Sequence, residues 1–320
     1  MIARIHLRLL AAIPIALAVS ALVFFLVEAS PGDPSLLLLD PNASPHANDA
    51  QRAILGLDRP VAERFGIWMR NTLTLDFGRS FVDQVPVRDK IAAALPSTLL
   101  LSSVSLAIAF GLGLAAALAS ASRPRSALDH VLSAIALVLQ STPIFWLAWM
   151  AIAWLAVGWG WFPTGGTVSL TSTLEPGLHL LDRLHHLALP ALVLGVAFAG
   201  EVSRFARGAL VDTLEEDFVR ASRARGASRR RALLRHAFPA SLHSTISLLG
   251  LSIPYLVGGA VLVEEIFDWP GMGRLLVGAM VAKDYPVVAA GVVALATLAV
   301  VGNLLADLLA ARLDPRVGVP

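Results

Sequence analysis

Apolar residues gather along this chain into six runs, at about 9–29, 97–120, 131–157, 187–209, 244–264 and 286–309, separated by stretches rich in charge, proline or glycine. A helix rises about 1.5 Å per residue and the bilayer core is about 30 Å thick, so roughly 20 apolar residues cross it. The pattern predicts six transmembrane helices. The first run follows Arg4 and Arg8 and ends near Val27 and Ala29, which imitates a signal peptide with its cleavage site. Its length exceeds the usual apolar region of about 7–15 residues and the chain keeps Met1, so an uncleaved first helix is expected.

The basic residues between the runs orient them. With the N-terminus in the cytoplasm, the inner side holds Arg4, Arg8, Arg123, Arg125, the block from Arg204 to Arg235, Arg312 and Arg316. The short outer loops then hold only Arg183, Arg274 and Lys283. The segment 31–96 carries seven further cations, but long loops translocate largely regardless of charge. Both termini are therefore expected inside. The expected organisation is an N-terminal helix at 1–30, an extracytoplasmic segment at 31–96, a five-helix core at 97–310 with an inner loop at 210–243, and a tail at 311–320. The outer segment mixes turn formers with short amphipathic pieces and reads as a small ordered cap. Asp76-Phe77-Gly78 spells a protein-kinase tripeptide, but no glycine-rich loop or HRD element accompanies it.

Inside the runs, small residues recur every fourth position, as at Gly111, Ala115 and Ala119 or Ala290 and Ala294, a spacing that lets helices pack closely in lipid. Pro143 and Pro254 fall within spans, where Ser or Thr side chains can satisfy the carbonyls a proline frees. Around Pro143, Gln140, Ser141 and Thr142 either do only that or also line a path. Trp146, Trp149, Trp154, Trp159 and Trp161 collect toward the outer end of the third run, as an aromatic belt would.

Composition agrees with a membrane bundle: the 320 residues are 56% hydrophobic and 15% charged, with mean hydropathy +0.71. The absence of cysteine excludes disulfides, thiol nucleophiles and Cys-ligated metals. A net charge of +2 is too small to argue for nucleic acid. The cations are instead concentrated: Arg204, Arg207, Arg220, Arg223, Arg225, Arg229, Arg230, Arg231 and Arg235 stand against Asp212, Glu215, Glu216 and Asp217. Burying those nine arginines in lipid would cost on the order of 25 kcal/mol, so the block lies in water or at the headgroups.

Within the block, Thr213 and Glu216 have capping-box spacing and Glu215 to Asp217 suit a helix N-terminus, so a helix is expected to start there. Leu214, Phe218 and Ala221 make a narrow apolar face, and Gly226 stands where a left-handed C-cap belongs. Ser228 is expected to cap a second short helix that Pro239 ends. The result is an elbow between two spans, suited to docking a partner protein.

At this point the chain resembles the inner-membrane permeases of ABC importers, which carry an EAA-type loop between two spans. Against the pattern Glu-Ala-Ala, three residues, Gly and a later Leu-Pro, the chain has Arg220, Ala221, Ser222, Gly226, Phe238 and Pro239, with outright matches at Ala221, Gly226 and Pro239. PGDP at 31–34, LGLDRP at 55–60, DFGRSF at 76–81, LPALVLG at 189–195, RASRARGASRRRALLRHA at 220–237, EEIFDWPGMGRLL at 264–276, DYPVV at 284–288 and NLLADLLAARLDPRV at 303–317 look like the dipeptide, oligopeptide and nickel branch, B-type subunit. The resemblance covers nearly the whole chain. It implies an all-α membrane protein with the six-helix type I importer permease fold, in the bacterial inner membrane. It further implies a second, C-type permease subunit, two cytoplasmic ATPases and an extracytoplasmic substrate-binding protein. Leu214, Glu216, Phe218, Ala221, Ser222, Gly226 and Pro239 are the residues expected to couple it to the ATPase. The chain has no GxxxxGK[ST], so ATP and Mg²⁺ are expected on the partners and no cofactor or metal on this chain.

Two other classes make different demands on the sequence. An ion-driven carrier would use intramembrane acids, for which Glu201, Glu264, Glu265 and Asp307 are the candidates, although Glu201 suits a local ion pair with Arg204. A hydrolase would need HExxH or GxSxG, and neither occurs; His185-His186 alone is no metal site, and no catalytic residue is expected. Cargo is open among peptides, nickel or its chelate, glutathione and small amino compounds, with peptide expected.

Overall fold

The computed structural model describes residues 14, 17–26, 28–29, 58–169 and 179–313. Arg4, Arg8, the PGDP turn, the first half of LGLDRP, the tail beyond 313 and the side chains of Pro254 and Asp307 lie outside the described residues. Among the described residues the elements are helical, with one isolated bridge between Arg79 and Pro86. In chain order they are α1 (Leu17–Leu26), α2 (Val61–Leu73), α3 (Val87–Ser122), α4 (Ala127–Ser141), α5 (Ile144–Ala151) continued by a π-turn at Ile152–Gly158, and α6 (His179–Leu214). Then come α7 (Asp217–Ala224), α8 (Arg229–Ala232) with a π-turn at Leu233–Ala237, α9 (Phe238–Ile266), α10 (Met272–Val281) and α11 (Tyr285–Leu313).

Helices α3 and α6, and α11 over Tyr285–Leu305, are each long and apolar enough to cross a membrane. Helix α9, with 29 residues, reaches about 44 Å at 1.5 Å per residue. The third run is not one straight span as expected: α4 and the α5 segment meet at 101°. Proline has no N–H and pushes its predecessor out of the helical region. Thr142 before Pro143 is accordingly extended, at φ −85° and ψ 126°. The five tryptophans around this segment are all exposed, on surface that lipid would cover.

By its contacts the chain divides into two compact units, Ser97–Pro270 with the residues from Val301, and Ile2–Pro96 with Gly271–Val300. In the first, a buried apolar core takes Leu101 and Ala109 from α3, Ala148 from α5, Leu189, Leu194 and Phe198 from α6, and Ala260 and Val263 from α9. Backbones approach closely at glycines. A Cβ on Gly195 would lie 2.7 Å from Ile108 Cβ, one on Gly113 2.6 Å from Val202 Cβ, and one on Gly200 2.6 Å from the Ala136 carbonyl. The small-residue stripe that packs on α3 is thus Ala109, Gly113, Ala117 and Ala121. The expected stripe, two residues out of register, faces away: nothing lies within 4 Å of a Cβ on Gly111. The same unit buries Trp269, whose Nε1–H donates to the Ser97 carbonyl at 3.0 Å, and Glu264, which accepts from Thr98 Oγ1 at 2.6 Å.

In the second unit, Phe24 and Phe25 of α1 contact Phe65 of α2 with ring centroids 5.4 Å apart. Trp68 Nε1–H donates to Ser20 Oγ at 3.1 Å, and Arg64 pairs with Glu28 at 2.8 Å. The DFGRSF stretch has a structural task here. Phe77 packs beside the buried Val87, Ala279, Val287 and Ala290. The buried Ser80 hydroxyl donates to Asp284 of DYPVV, which also accepts from Phe81 N at 2.9 Å. Lys90 Nζ closes the loop on Asp83 at 2.7 Å. Lys90 and the Ser80 hydroxyl hold the Asp83 carboxyl down to about 2 from its ordinary 3.8.

Candidate functional site

The elbow helix starts later than expected, with its N-cap at Glu216, three residues beyond Thr213. Thr213 belongs to the last turn of α6, where its hydroxyl donates to the Ala209 carbonyl at 2.7 Å, so no capping box forms. Helix α7 starts at Asp217, and Glu216 is its N-cap through its backbone carbonyl, without a side-chain cap bond. The other end carries a full Schellman motif: Ala227 N donates to the Ser222 carbonyl at 3.2 Å and Gly226 N to the Arg223 carbonyl at 2.9 Å. That geometry puts Gly226 at φ +91°, a region glycine enters freely. Ser228 Oγ then accepts from Arg231 N at 3.3 Å and caps α8. Pro239 does not end this segment. It sits in the first turn of α9, where no intrahelical N–H is needed, and the chain runs on as helix to Ile266.

The two faces of the elbow are distinct. Val219, Ser222, Ala232, Leu233 and Ala237 are buried, and Leu233 and Ala237 pack with Ala117 and Ala121 of α3 and Leu210 of α6. Leu214 is half-buried against the same cluster. Glu216, Phe218, Ala221, Gly226 and Pro239 face outward, with Phe218 45% exposed. Of the residues expected to meet a partner, these five are accessible, while Leu214 and Ser222 hold the elbow to its own chain.

Sequence reasoning missed the tie that fixes the helices behind the elbow. Arg207 of α6 grips the buried Asp129 of α4 at both oxygens, Nε to Oδ1 at 2.6 Å and Nη2 to Oδ2 at 2.7 Å. Asp129 also accepts from Ser120 Oγ of α3 and, at 2.8 Å, from Arg125 N. Three helices thereby share one carboxylate. Ser126, which caps α4 by accepting from Asp129 N, makes an S-x-x-D signal that could have drawn attention to the site.

A second feature is a cavity of about 770 Å³ at the break between α4 and α5. Its wall includes Gln140, Ser141 and Thr142 at the break, Ala197, Phe198 and Glu201 from α6, and Ser252, Gly258 and Leu262 from α9. Thr142 Oγ1 donates to the Val138 carbonyl at 2.7 Å, which is the local satisfaction expected near a proline, yet the residue also lines the cavity. The expected pairing of Glu201 with Arg204 does not form: the Arg204 guanidinium donates to Gln140 Oε1 instead. Among the described residues no group of three or more His, Asp or Glu side chains could hold a metal ion. His185 Nε2–H donates to the Trp161 carbonyl and His186 Nδ1–H to the Asp182 carbonyl, each at 2.8 Å.

Long apolar helices joined by a capped, arginine-rich elbow define a multi-pass membrane protein, and comparison with known proteins gives its class. Residues 107–319 match the binding-protein-dependent transport system inner membrane component, and residues 1–102 match the N-terminal part of such membrane components. The chain belongs to this family, the inner-membrane permeases of ABC importers. It is 40% identical over 311 residues to the oligopeptide transport system permease protein AppB of Bacillus subtilis, covering 97% of each chain. It is 35% identical over 310 residues to the glutathione transport system permease protein GsiC of Escherichia coli K12, again covering 97% of each. A crystal structure of an amino acid ABC transporter with histidines aligns over 71% of this chain and 94% of that one, at 16% identity and TM-score 0.49. Permeases of this class are not themselves enzymes and work with ATPase and substrate-binding partners.

Proposed function

We propose that this chain forms half of the translocation pathway of an ATP-driven importer of peptides and that its elbow receives the stroke of an ATPase. The observation that carries the reading is the outward face of α7, where Phe218 and Ala221 stand exposed on a short helix, closed by a Schellman motif, in the connection between the long helices α6 and α9. A free helix would absorb a push; a helix closed by a Schellman motif and followed directly by α8, which Ser228 caps, transmits it. The partners are a homologous C-type permease, two cytoplasmic ATPases that hold ATP and Mg²⁺, and an extracytoplasmic substrate-binding protein. The arginine distribution supports both termini in the cytoplasm. Relatives named for oligopeptide and glutathione transport support peptide cargo over nickel or its chelate. The cavity at Gln140, Ser141 and Thr142 is the stretch of pathway this subunit contributes.

The test is purification of the tagged chain from its native host in mild detergent, with its companions identified by mass spectrometry. A second permease and Walker-motif ATPases are expected, and vesicles bearing the complex should accumulate a labelled tripeptide only when supplied with ATP. Recovery of the chain alone, with uptake driven by an ion gradient, would reject the reading.

A further inference from the structure

We propose that Glu201 and the broken end of α4 together form a receptor for the ammonium group of the cargo. The proposal rests on the peptide reading above and specifies what this subunit recognises.

Glu201 is half-buried in the cavity wall, and among the described residues no Lys, Arg or His comes within 4 Å to pair with it. A carboxylate on a membrane-spanning helix without a counter-ion is costly and marks a functional position. Its nearest cation in sequence, Arg204, is held by Gln140 Oε1. Among the described residues no lysine, arginine or histidine lines the cavity.

The break supplies more negative character. A helix that stops leaves its last carbonyls without intrahelical donors and carries the negative end of the helix dipole. Thr142 N still reaches the Val138 carbonyl, but the next donor in the series would be Pro143, which has none. No described hydrogen bond ends on the carbonyls of Leu139, Gln140 or Ser141, and all three residues line the cavity. Two of the lining hydroxyls lean the same way. Thr142 Oγ1 and Ser252 Oγ donate to carbonyls of their own helices, at 2.7 and 2.8 Å, and so present lone pairs to a ligand. Apart from the Gln140 amide N–H and the Ser141 hydroxyl, the polar groups of the described lining are acceptors, the complement of a primary ammonium with its three N–H bonds. A volume of about 770 Å³ holds a small peptide and is far larger than a bare ion's cage.

The test uses the intact importer, with its ATPases and binding protein, in vesicles. The readout is the ratio of uptake of labelled Ala-Ala-Ala to that of N-acetyl-Ala-Ala-Ala. The binding protein is the same in every arm, so its own preference cancels when ratios are compared. In Glu201→Gln the ratio should fall about tenfold, as loss of a charge-assisted hydrogen bond implies. In Glu201→Asp it should be largely retained, which a merely structural role would not produce. An unchanged ratio in Glu201→Gln overturns the proposal while leaving the peptide reading intact. Absence of uptake of either peptide by the wild-type importer rejects the peptide reading itself, and this proposal with it. Wild-type uptake that collapses when choline replaces sodium, with Glu201→Gln insensitive to the exchange, assigns the site to an alkali ion and overturns it.

Discussion

Gly226 shows how a single residue can be required for its backbone alone. A Cβ there would meet nothing within 4 Å, so space is not the constraint; φ +91° is. Gly226→Val should cost about 1–3 kcal/mol of local stability and uncouple ATP hydrolysis from uptake, whereas Gly226→Asn keeps most of the coupling because Asn tolerates positive φ. Paired ATPase and uptake assays check this. Gly195 is the opposite case, with a normal backbone and no room. Gly195→Ala sets Cβ 2.7 Å from Ile108 Cβ and should lower the melting temperature in detergent, by about 1–3 kcal/mol of overpacking. Gly111→Ala, with open space, should leave the melting temperature unchanged. The left-handed glycine was legible because caps have local chemistry. The packing glycines were not, because two stripes of small residues on α3 share the same four-residue period and only the neighbours decide which one is buried. Asp83 allows a pH statement of definite sign. Its carboxyl is depressed to about 2, so its contact with Lys90 contributes fully above about pH 4 and is lost as pH falls toward 2. Hydrogen exchange of residues 79–86 should therefore accelerate only in that window.

At the scale of elements, the proposed function rests on the elbow and the broken span. Phe218→Asp places a charge on the outward face of α7 without touching its packed side, so it should abolish co-purification of the ATPase while the permease remains folded; retained ATPase would move docking to another surface. Behind the elbow, Asp129→Asn removes the carboxylate charge that three helices share. Arg207 is 32% exposed and partly hydrated, so the loss should be about 1–3 kcal/mol, less than for a fully buried pair, and is measurable by thermal unfolding in detergent. The run lengths and the elbow's existence could be read from hydropathy and from the charge cluster. The 101° break could not, because a proline inside an apolar run also fits a mild kink and only tertiary packing sets the angle. Pro239 was misleading for a related reason: proline ends a helix from inside but opens one from its first turn, and the sequence does not say which side it stands on.

For the whole molecule, the exposed apolar surface is the dominant fact. Leu137, Val138, Trp154, Val157, Trp159 and Trp161 are each more than half exposed, which water would not tolerate in so apolar a chain. In a multi-pass membrane protein lipid covers such faces. The fold class was readable from composition and hydropathy, but the acceptor-rich cavity was not, since it draws on residues from 139 to 262 that no local pattern links. The Schellman-capped elbow has one further consequence, a mechanical one. The stretch of α6 from Pro190 to Leu214 is 25 residues, a rod of about 37 Å. Clamped at its elbow end, such a rod is a lever arm: a tilt of about 5° sweeps its far end through about 3 Å, roughly the width of a water molecule, by rigid-rod geometry.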